Sequence, residues 1–370
     1  MADWSSENSC QKVRDSCLKW NREHEDLVKI EPACIQGLAM EILDQQKPTS
    51  IAWDSENWHY SPSEKIPTAI AKERLALYLL ALDAINFCFW PGHHYPEEGG
   101  VSNLEYEHLA AAMARMAQED EKEQEEKSDS LTDSYIFAPS RLSKITLDEM
   151  KNLLEKHLYG GTEAEKKRVT PLDNLEARCQ LWNEVGLVLT EKFGGSAMKF
   201  LEVNEEGKSS LSAPKLVDRV VESFSGFRDY CSTEDGNLYF YKRAQICAGD
   251  LNAALKLELA DMDHVTTFAD YRVPQLLRHV GVLQYETSFG EKIDAFEEIE
   301  KGSSEENSIR AATVVAVEQL VDELKKQQKA SDPSESFTAV TVDWYLWQLG
   351  ERMHSAGTLK PHHRTRTTFY

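Results

Sequence analysis

The sequence predicts a mainly α-helical protein folded as a single globular domain. Apolar residues recur at three- and four-residue spacing along most of the chain, strict alternation is rare, and no internal repeat breaks the pattern. The most apolar stretch, Leu75 to Trp90, is shorter than the ~20 residues a spanning helix needs. It also carries Asp83 and Asn86, so it reads as a buried core helix, with Asn86 a satisfied core amide or a ligand-reading group. Thr146 and Glu149 form a capping-box pair ahead of Met150, Leu153 and Leu154. Leu216, Val217, Val220, Val221 and Phe224 mark one apolar helix face. Leu238 to Tyr241 reads as a short strand, so at most a small β-hairpin is expected. Ala244, Cys247, Ala248, Leu251, Ala254 and Leu255 mark the next helix face, and Pro274 opens another as its first helical residue.

Two stretches have little to bury. Gln118 to Ser130 is almost wholly charged or polar, and Gly302 to Asn307 is built of Gly, Ser, Glu and Asn. Both are expected to be mobile loops or solvated helix ends, the first an acidic insertion; a functional acidic segment is the alternative. Neither divides the chain convincingly. A flexible N-terminus over 1–12 followed by one domain over 13–370 is therefore the expected organisation.

With 63 acidic and 41 basic residues the net charge is −22, which argues against broad phosphate-backbone binding while leaving room for one small nucleotide. The sequence begins with neither a basic nor an apolar leader pattern. Seven scattered cysteines form no CxxC pair or zinc-type cluster and suit a reducing compartment. A cytoplasmic monomer without metal, membrane or stable nucleic-acid partner is the expectation.

Three segments concentrate polar and aromatic chemistry. Lys242 and Arg243 follow Tyr239, Phe240 and Tyr241 at a helix mouth, where cations oppose the helix dipole unless an anion sits there. A bound phosphate answers that, and so does a structural bridge from Arg243 to Asp229 or Glu234. In the second segment, Thr267 to Gln275, a helix starting at Pro274 leaves Asp270 upstream of the cap position, without a capping task. A loop carboxylate between Phe268 and Tyr271 can stabilise an oxocarbenium ion, activate a water or attack a sugar carbon. A salt bridge to Arg272 or Arg278 is the rival explanation. In the third, Asp343 stands among Trp344, Tyr345 and Trp347, and a buried carboxylate there needs partners. The last ten residues, Pro361 to Tyr370, are locally basic and read either as an exposed tail or as one folded back toward a phosphate.

Taken together, FCFWP at 87–91, EKFGGS at 191–196, YKRAQI at 241–246, FADYRVPQ at 268–275 and DWYLW at 343–347 resemble the queuosine salvage family. The resemblance runs from about Val13 to the C-terminus, with the motifs in family order. It implies an all-helical fold related to helix-hairpin-helix DNA glycosylases. It also implies hydrolysis of queuosine 5′-monophosphate to queuine and ribose 5-phosphate without metal or organic cofactor, queuine then returning to tRNA. By motif match, Asp270 is the implied catalytic carboxylate, Phe268 stacks on the base, and Lys242 lies near the ribose phosphate. Asp343 and Trp344 match positions lining the base pocket, Gln348 stands where some members carry an acid, and His59 matches a ligand-contacting histidine. Tyr271 and Arg272, flanking Asp270 in the same motif, complete the substrate-binding set.

The chemistry suits these residues. A 7-deazapurine lacks the N7 atom that could be protonated, so the burden shifts to the sugar, where positive charge develops as the bond breaks. A pre-placed carboxylate stabilises that charge. Two other functions remain open at this stage: a base-excision glycosylase acting on nucleic acid, which the charge opposes, and a queuine-binding protein without turnover.

Overall fold

The structure is a computed structural model that describes residues 8–44, 58–90, 104–127, 135–158, 172–328 and 337–370. The helices in chain order are α1 (Ser9–Glu23), α2 (Pro32–Asp44), α3 (Thr68–Ala84), α4 (Tyr106–Lys127), α5 (Pro139–Leu142), α6 (Leu147–Leu158), α7 (Leu175–Phe193), α8 (Ala197–Phe200), α9 (Ala213–Ser223), α10 (Lys242–Leu255), α11 (Arg272–His279), α12 (Thr287–Asp294), α13 (Ser304–Gln327) and α14 (Ala339–Ser355). The expected mainly helical class holds. Strands β2 (Tyr230–Thr233) and β3 (Gly236–Tyr239) form the small hairpin. A second antiparallel pair joins β1 (Val28–Ile30) to β4 (Leu283–Tyr285), a long-range pairing that local alternation could not announce.

Local signals set several of these elements. Thr146 and Glu149 make the reciprocal capping box, Glu149 N donating to Thr146 Oγ1 at 3.2 Å and Thr146 N to Glu149 Oε2 at 2.8 Å. The periodic face of α9 is buried at Leu216, Val217, Val220 and Val221. Helix α10 buries Ala244, Cys247, Ala248, Leu251 and Leu255, and packs on α3 through these small side chains. Long α13 lies between two apolar clusters and serves both. Ala311, Val314 and Val315 join the larger one, while Ile309, Ala312, Ala316, Val317 and Leu320 join a second cluster with α2, α11 and α14.

Three expectations are corrected and a fourth is met in one of its two forms. The N-terminal segment is ordered from Asn8, whose side chain caps α1 by accepting from Gln11 N at 2.9 Å, and Cys10 is fully buried; residues 1–7 lie outside the described residues. Of the two forms expected of the acidic stretch, the helix end is the one observed: it closes α4, with Gln118, Glu119, Lys122 and Glu123 exposed. Buried Glu121 accepts from Tyr60 Oη at 2.6 Å and Ser63 N at 3.0 Å, and Asp120 accepts from Ile136 N at 3.2 Å. Its last residues, 128–130, lie outside the described residues. Gly302 to Asn307 is likewise no mobile loop. Ser303 caps α13 by accepting from Glu306 N at 3.2 Å, and Glu306 and Asn307 are buried. Charge composition misled at Glu121 and Glu306, which are buried because they accept hydrogen bonds from tyrosine and backbone donors.

Finally, the core helix ends at Ala84, short of Trp90. Beyond it the chain runs irregularly, with Cys88 at φ 50°. Buried Arg178 holds this run by donating to the carbonyls of Ile85, Phe87 and Cys88, while Cys88 N donates to the Tyr370 carbonyl at 3.0 Å. Backbone groups that leave a helix inside a protein must find partners elsewhere, and Arg178 with the chain's last residue supplies them.

Candidate active site

The residues of the second motif form a loop fastened from three sides. Gln245, on α10, accepts from Thr266 N at 2.8 Å while its amide donates to Thr266 Oγ1 at 2.8 Å and the Phe240 carbonyl at 3.0 Å. Asp343, on α14, accepts from Phe268 N at 2.8 Å and from the Thr267 hydroxyl with the same oxygen, Oδ1. Arg310, on α13, donates through Nε to the Ala269 carbonyl at 3.0 Å. Each of the three helices thus fixes a different peptide of the loop that delivers Asp270, and the carboxylate inherits their rigidity.

Helix α11 begins at Arg272, and Pro274 is its third residue rather than its first. The capping argument is therefore overturned: Asp270 Oδ1 accepts from Arg272 N and Val273 N, each at 3.0 Å, and so serves the first turn of the helix. Among the described residues no hydrogen bond falls on Oδ2. Asp270 lines a cavity at the seam between the two apolar clusters. Burial raises the Asp270 carboxyl above the usual carboxylate range, opposed first by Lys242 and then by the two amides.

Lys242 opens α10 and is the cation that lines this cavity among the described residues. Burial pulls its ammonium below the usual lysine value, and the Asp270 carboxylate is the largest influence holding it up. The anion at this helix mouth is the protein's own. Asp229 accepts from Lys242 N at 3.1 Å and, through both oxygens, from Arg310 at 2.9 and 2.6 Å. Arg243 neither faces the cavity nor forms the bridge considered for it. Its guanidinium donates to the carbonyls of Asp83, Ala84 and Gly226 and lies over the Phe227 ring at 4.8 Å. A phosphate at this end meets the Lys242 side chain while the first helix amide is already taken.

All the candidate residues except Arg272 line the cavity: His59, Lys242, Phe268, Asp270, Tyr271, Asp343, Trp344 and Gln348. Phe268 and Trp344 both lie within reach of Gly249, where a Cβ would meet them at 3.6 and 3.7 Å. Burial and then the neighbouring Asp270 push Asp343 up to about 8. His59 sits in ring contact with Tyr78 and Tyr106, and burial pulls it down to about 4, so it is a neutral imidazole. Tyr271 stacks on His362 with ring centroids 4.4 Å apart.

Arg272 works behind the wall. Its Nε donates to Glu351 Oε1 at 2.7 Å, its Nη2 pairs with Glu105 at 3.2 Å, and its Nη1 reaches Gln275. Glu105 and Glu351 themselves face the cavity, and burial, working against the Arg272 charge, pushes Glu351 up to about 8.

Sequence reasoning left several wall residues unassigned. Tyr106, Trp58 and Trp347 form an edge-to-face aromatic cluster, with centroids 6.0 Å apart for Trp58–Trp347 and 5.8 Å for Tyr106–Trp347. Asn86, read as a satisfied core amide or a ligand-reading group, lines the cavity and makes no hydrogen bond among the described residues. Tyr370 lines it too, its ring 4.2 Å from the Arg310 guanidinium. The C-terminal segment is the folded-back alternative: Ile299 N donates to the Arg364 carbonyl at 2.7 Å, and His363, Thr365, Thr367 and Tyr370 are buried. Its local basicity left both forms open, and nothing local fixes where such a segment docks.

An aromatic-walled slot with one lysine and a carboxylate on a rigid loop is the arrangement of a small-molecule site for a flat ring bearing an anionic group. The comparisons with known proteins agree in kind. Residues 66–370 match the queuosine salvage protein family. Related proteins named queuosine 5′-phosphate N-glycosylase/hydrolase occur in Sphaerobacter thermophilus, at 38% identity over 81% of this chain and 82% of the relative. Those of Dictyostelium discoideum and Mus musculus are 34% identical over 85% of each chain, and 28% identical over 87% of this chain and 89% of the relative. The chain belongs to the queuosine salvage protein family.

Proposed function

We propose that this protein hydrolyses the N-glycosidic bond of queuosine 5′-phosphate, releasing queuine for reuse in tRNA and leaving ribose 5-phosphate. The observation that carries the reading is Asp270: a buried carboxylate on a loop fixed by three helices, with one oxygen held by two backbone amides and no hydrogen bond on the other among the described residues. In this reading Phe268 and Trp344 hold the base between ring faces, and Lys242 holds the 5′-phosphate. Asp270 stands against the sugar carbon and stabilises its positive charge as the base departs. Because its anchors are already in place, little reorganisation accompanies that step. Arg272 does not touch the substrate here; it sets the positions of Glu105 and Glu351.

The protein acts in this reading as a cytoplasmic monomer on a free nucleotide, without a metal or organic cofactor. The net charge of −22 supports a small substrate over a nucleic-acid backbone. The test is direct: incubation with queuosine 5′-phosphate is expected to yield equimolar queuine and ribose 5-phosphate. Absence of both products from folded protein contradicts the reading.

A further inference from the structure

The proposed reaction has a second requirement: the departing base takes the bonding electron pair and must gain a proton. We propose that Asp343 is the proton donor to the departing base, its Oδ2 carrying the proton and facing the ring held between Phe268 and Trp344. This rests on the glycosidic-cleavage reading above.

The geometry assigns the proton. Asp343 Oδ1 accepts from a backbone amide, Phe268 N, and from the Thr267 hydroxyl, which is the role of a carbonyl oxygen. Oδ2 makes no hydrogen bond among the described residues, and the residue lines the cavity while being almost fully buried. Lys242 supplies one positive charge to the space shared by Asp270 and Asp343, so one of the two carboxyls is better neutral before a phosphorylated substrate enters. Asp270 has that lysine and two helix amides to hold it as an anion. Asp343, desolvated by burial, has Asp270 as its largest electrostatic opponent and Lys242 as a smaller help, and is held up to about 8. Two carboxyls whose surroundings drive their protonation apart divide into acid and base.

The step balances. The bond between sugar carbon and base nitrogen breaks, and its electron pair goes to the base. The Asp343 proton passes to a nitrogen of the departing ring. Water adds to the sugar carbon, and its proton passes to Asp270. Asp270 then loses this proton and Asp343 regains one through solvent, restoring the starting state. The charged and titratable groups around Asp343 are Asp270 on the loop, Lys242 and Asp250 on α10, and Asp83 on α3 behind them. Glu351, two turns along α14, shares the cavity.

Two substrates separate this role from a structural one. With queuosine 5′-phosphate, the Asp343→Asn variant is expected to lose about 100-fold or more in kcat, the usual weight of a general acid. With 4-nitrophenyl ribofuranoside 5-phosphate, whose leaving group needs no proton, the same variant is expected to stay within about tenfold of wild type. Asp270→Asn is expected to lose rate on both. Wild-type kcat/KM is expected to fall as pH rises through about 8, and this limb to vanish in Asp343→Asn. Thr267→Val removes a hydrogen bond that favours the ionised form, so it is expected to move the limb to higher pH. Equal losses of Asp343→Asn on both substrates, or a limb that neither variant moves, overturn the donor while leaving the cleavage reading intact. A wild-type protein that releases no queuine overturns both.

Discussion

Asp270 owes its value to where its two oxygens go. Oδ1 is taken by the first amides of α11, so the carboxylate cannot rotate without breaking bonds at 3.0 Å that start a helix. Asn in its place keeps an acceptor for those amides and removes the charge. Asp270→Asn is therefore expected to remain folded and to lose about 100- to 1,000-fold in kcat, the scale of removing a pre-placed electrostatic group. Steady-state queuine release checks it. Lys242 answers a different question, because it is the cation lining the cavity among the described residues. Lys242→Met is expected to raise KM for queuosine 5′-phosphate by about 10- to 100-fold, the equivalent of ~1.5–3 kcal/mol for a hydrogen bond to a charged group. For queuosine without the phosphate the change is expected to be much smaller, and paired kinetics on the two compounds show whether the lysine reads the phosphate.

Among the elements, the hairpin-to-helix junction does most to hold the site. Asp229 accepts from Lys242 N and from both ends of the Arg310 fork, and its carbonyl accepts from Phe240 N and Tyr241 N at 3.0 Å. Tyr241 turns the chain at φ 49° into α10. Asp229→Ala strips the buried Arg310 guanidinium of its two short carboxylate bonds and leaves it only the longer contact to Glu306 at 3.6 Å and the Ala269 carbonyl, and the loss of stability is expected to be about 3–5 kcal/mol in denaturant titration. Gly186 tests packing rather than charge. A Cβ there would lie 2.2 Å from Ser143 N and 2.6 Å from the Pro139 carbonyl, where α7 rests on α5. Gly186→Ala is expected to cost roughly 1–3 kcal/mol by forcing two backbones apart, read as a lower urea midpoint with an unchanged slope. Element type was legible where one face is apolar, as in α9, and where a cap is local, as at Thr146. Helix starts set by distant partners were not. Pro274 suggested a later start for α11 than the one at Arg272, because its ring is tolerated anywhere in the first turn.

At the scale of the whole molecule, α13 separates two apolar clusters and the cavity opens at their seam, so its wall draws on the run after α3, the start of α4, α10, α14, the loop before α11 and the C-terminal segment. Residues standing in compact motifs, such as Asp270, Lys242 and Asp343, could be picked out from the sequence. Tyr106, Glu105 and Tyr370 could not, because each becomes a wall residue only when distant segments meet. Arg178 and Arg310 look like ordinary surface cations in the sequence, and burial turns them into the clamps that hold the irregular run after α3 and the Asp270 loop. The surplus of 22 negative charges bears on partners. Duplex DNA is expected to show no mobility shift with the protein even at low salt, and a salt-sensitive complex contradicts that. The central claim is tested most directly by single-turnover cleavage of queuosine 5′-phosphate by wild-type protein and Asp270→Asn, with binding of the nucleotide measured on both. The account predicts that both bind, that wild type releases queuine, and that the variant is slowed about 100-fold or more. Equal release rates for the two proteins contradict it.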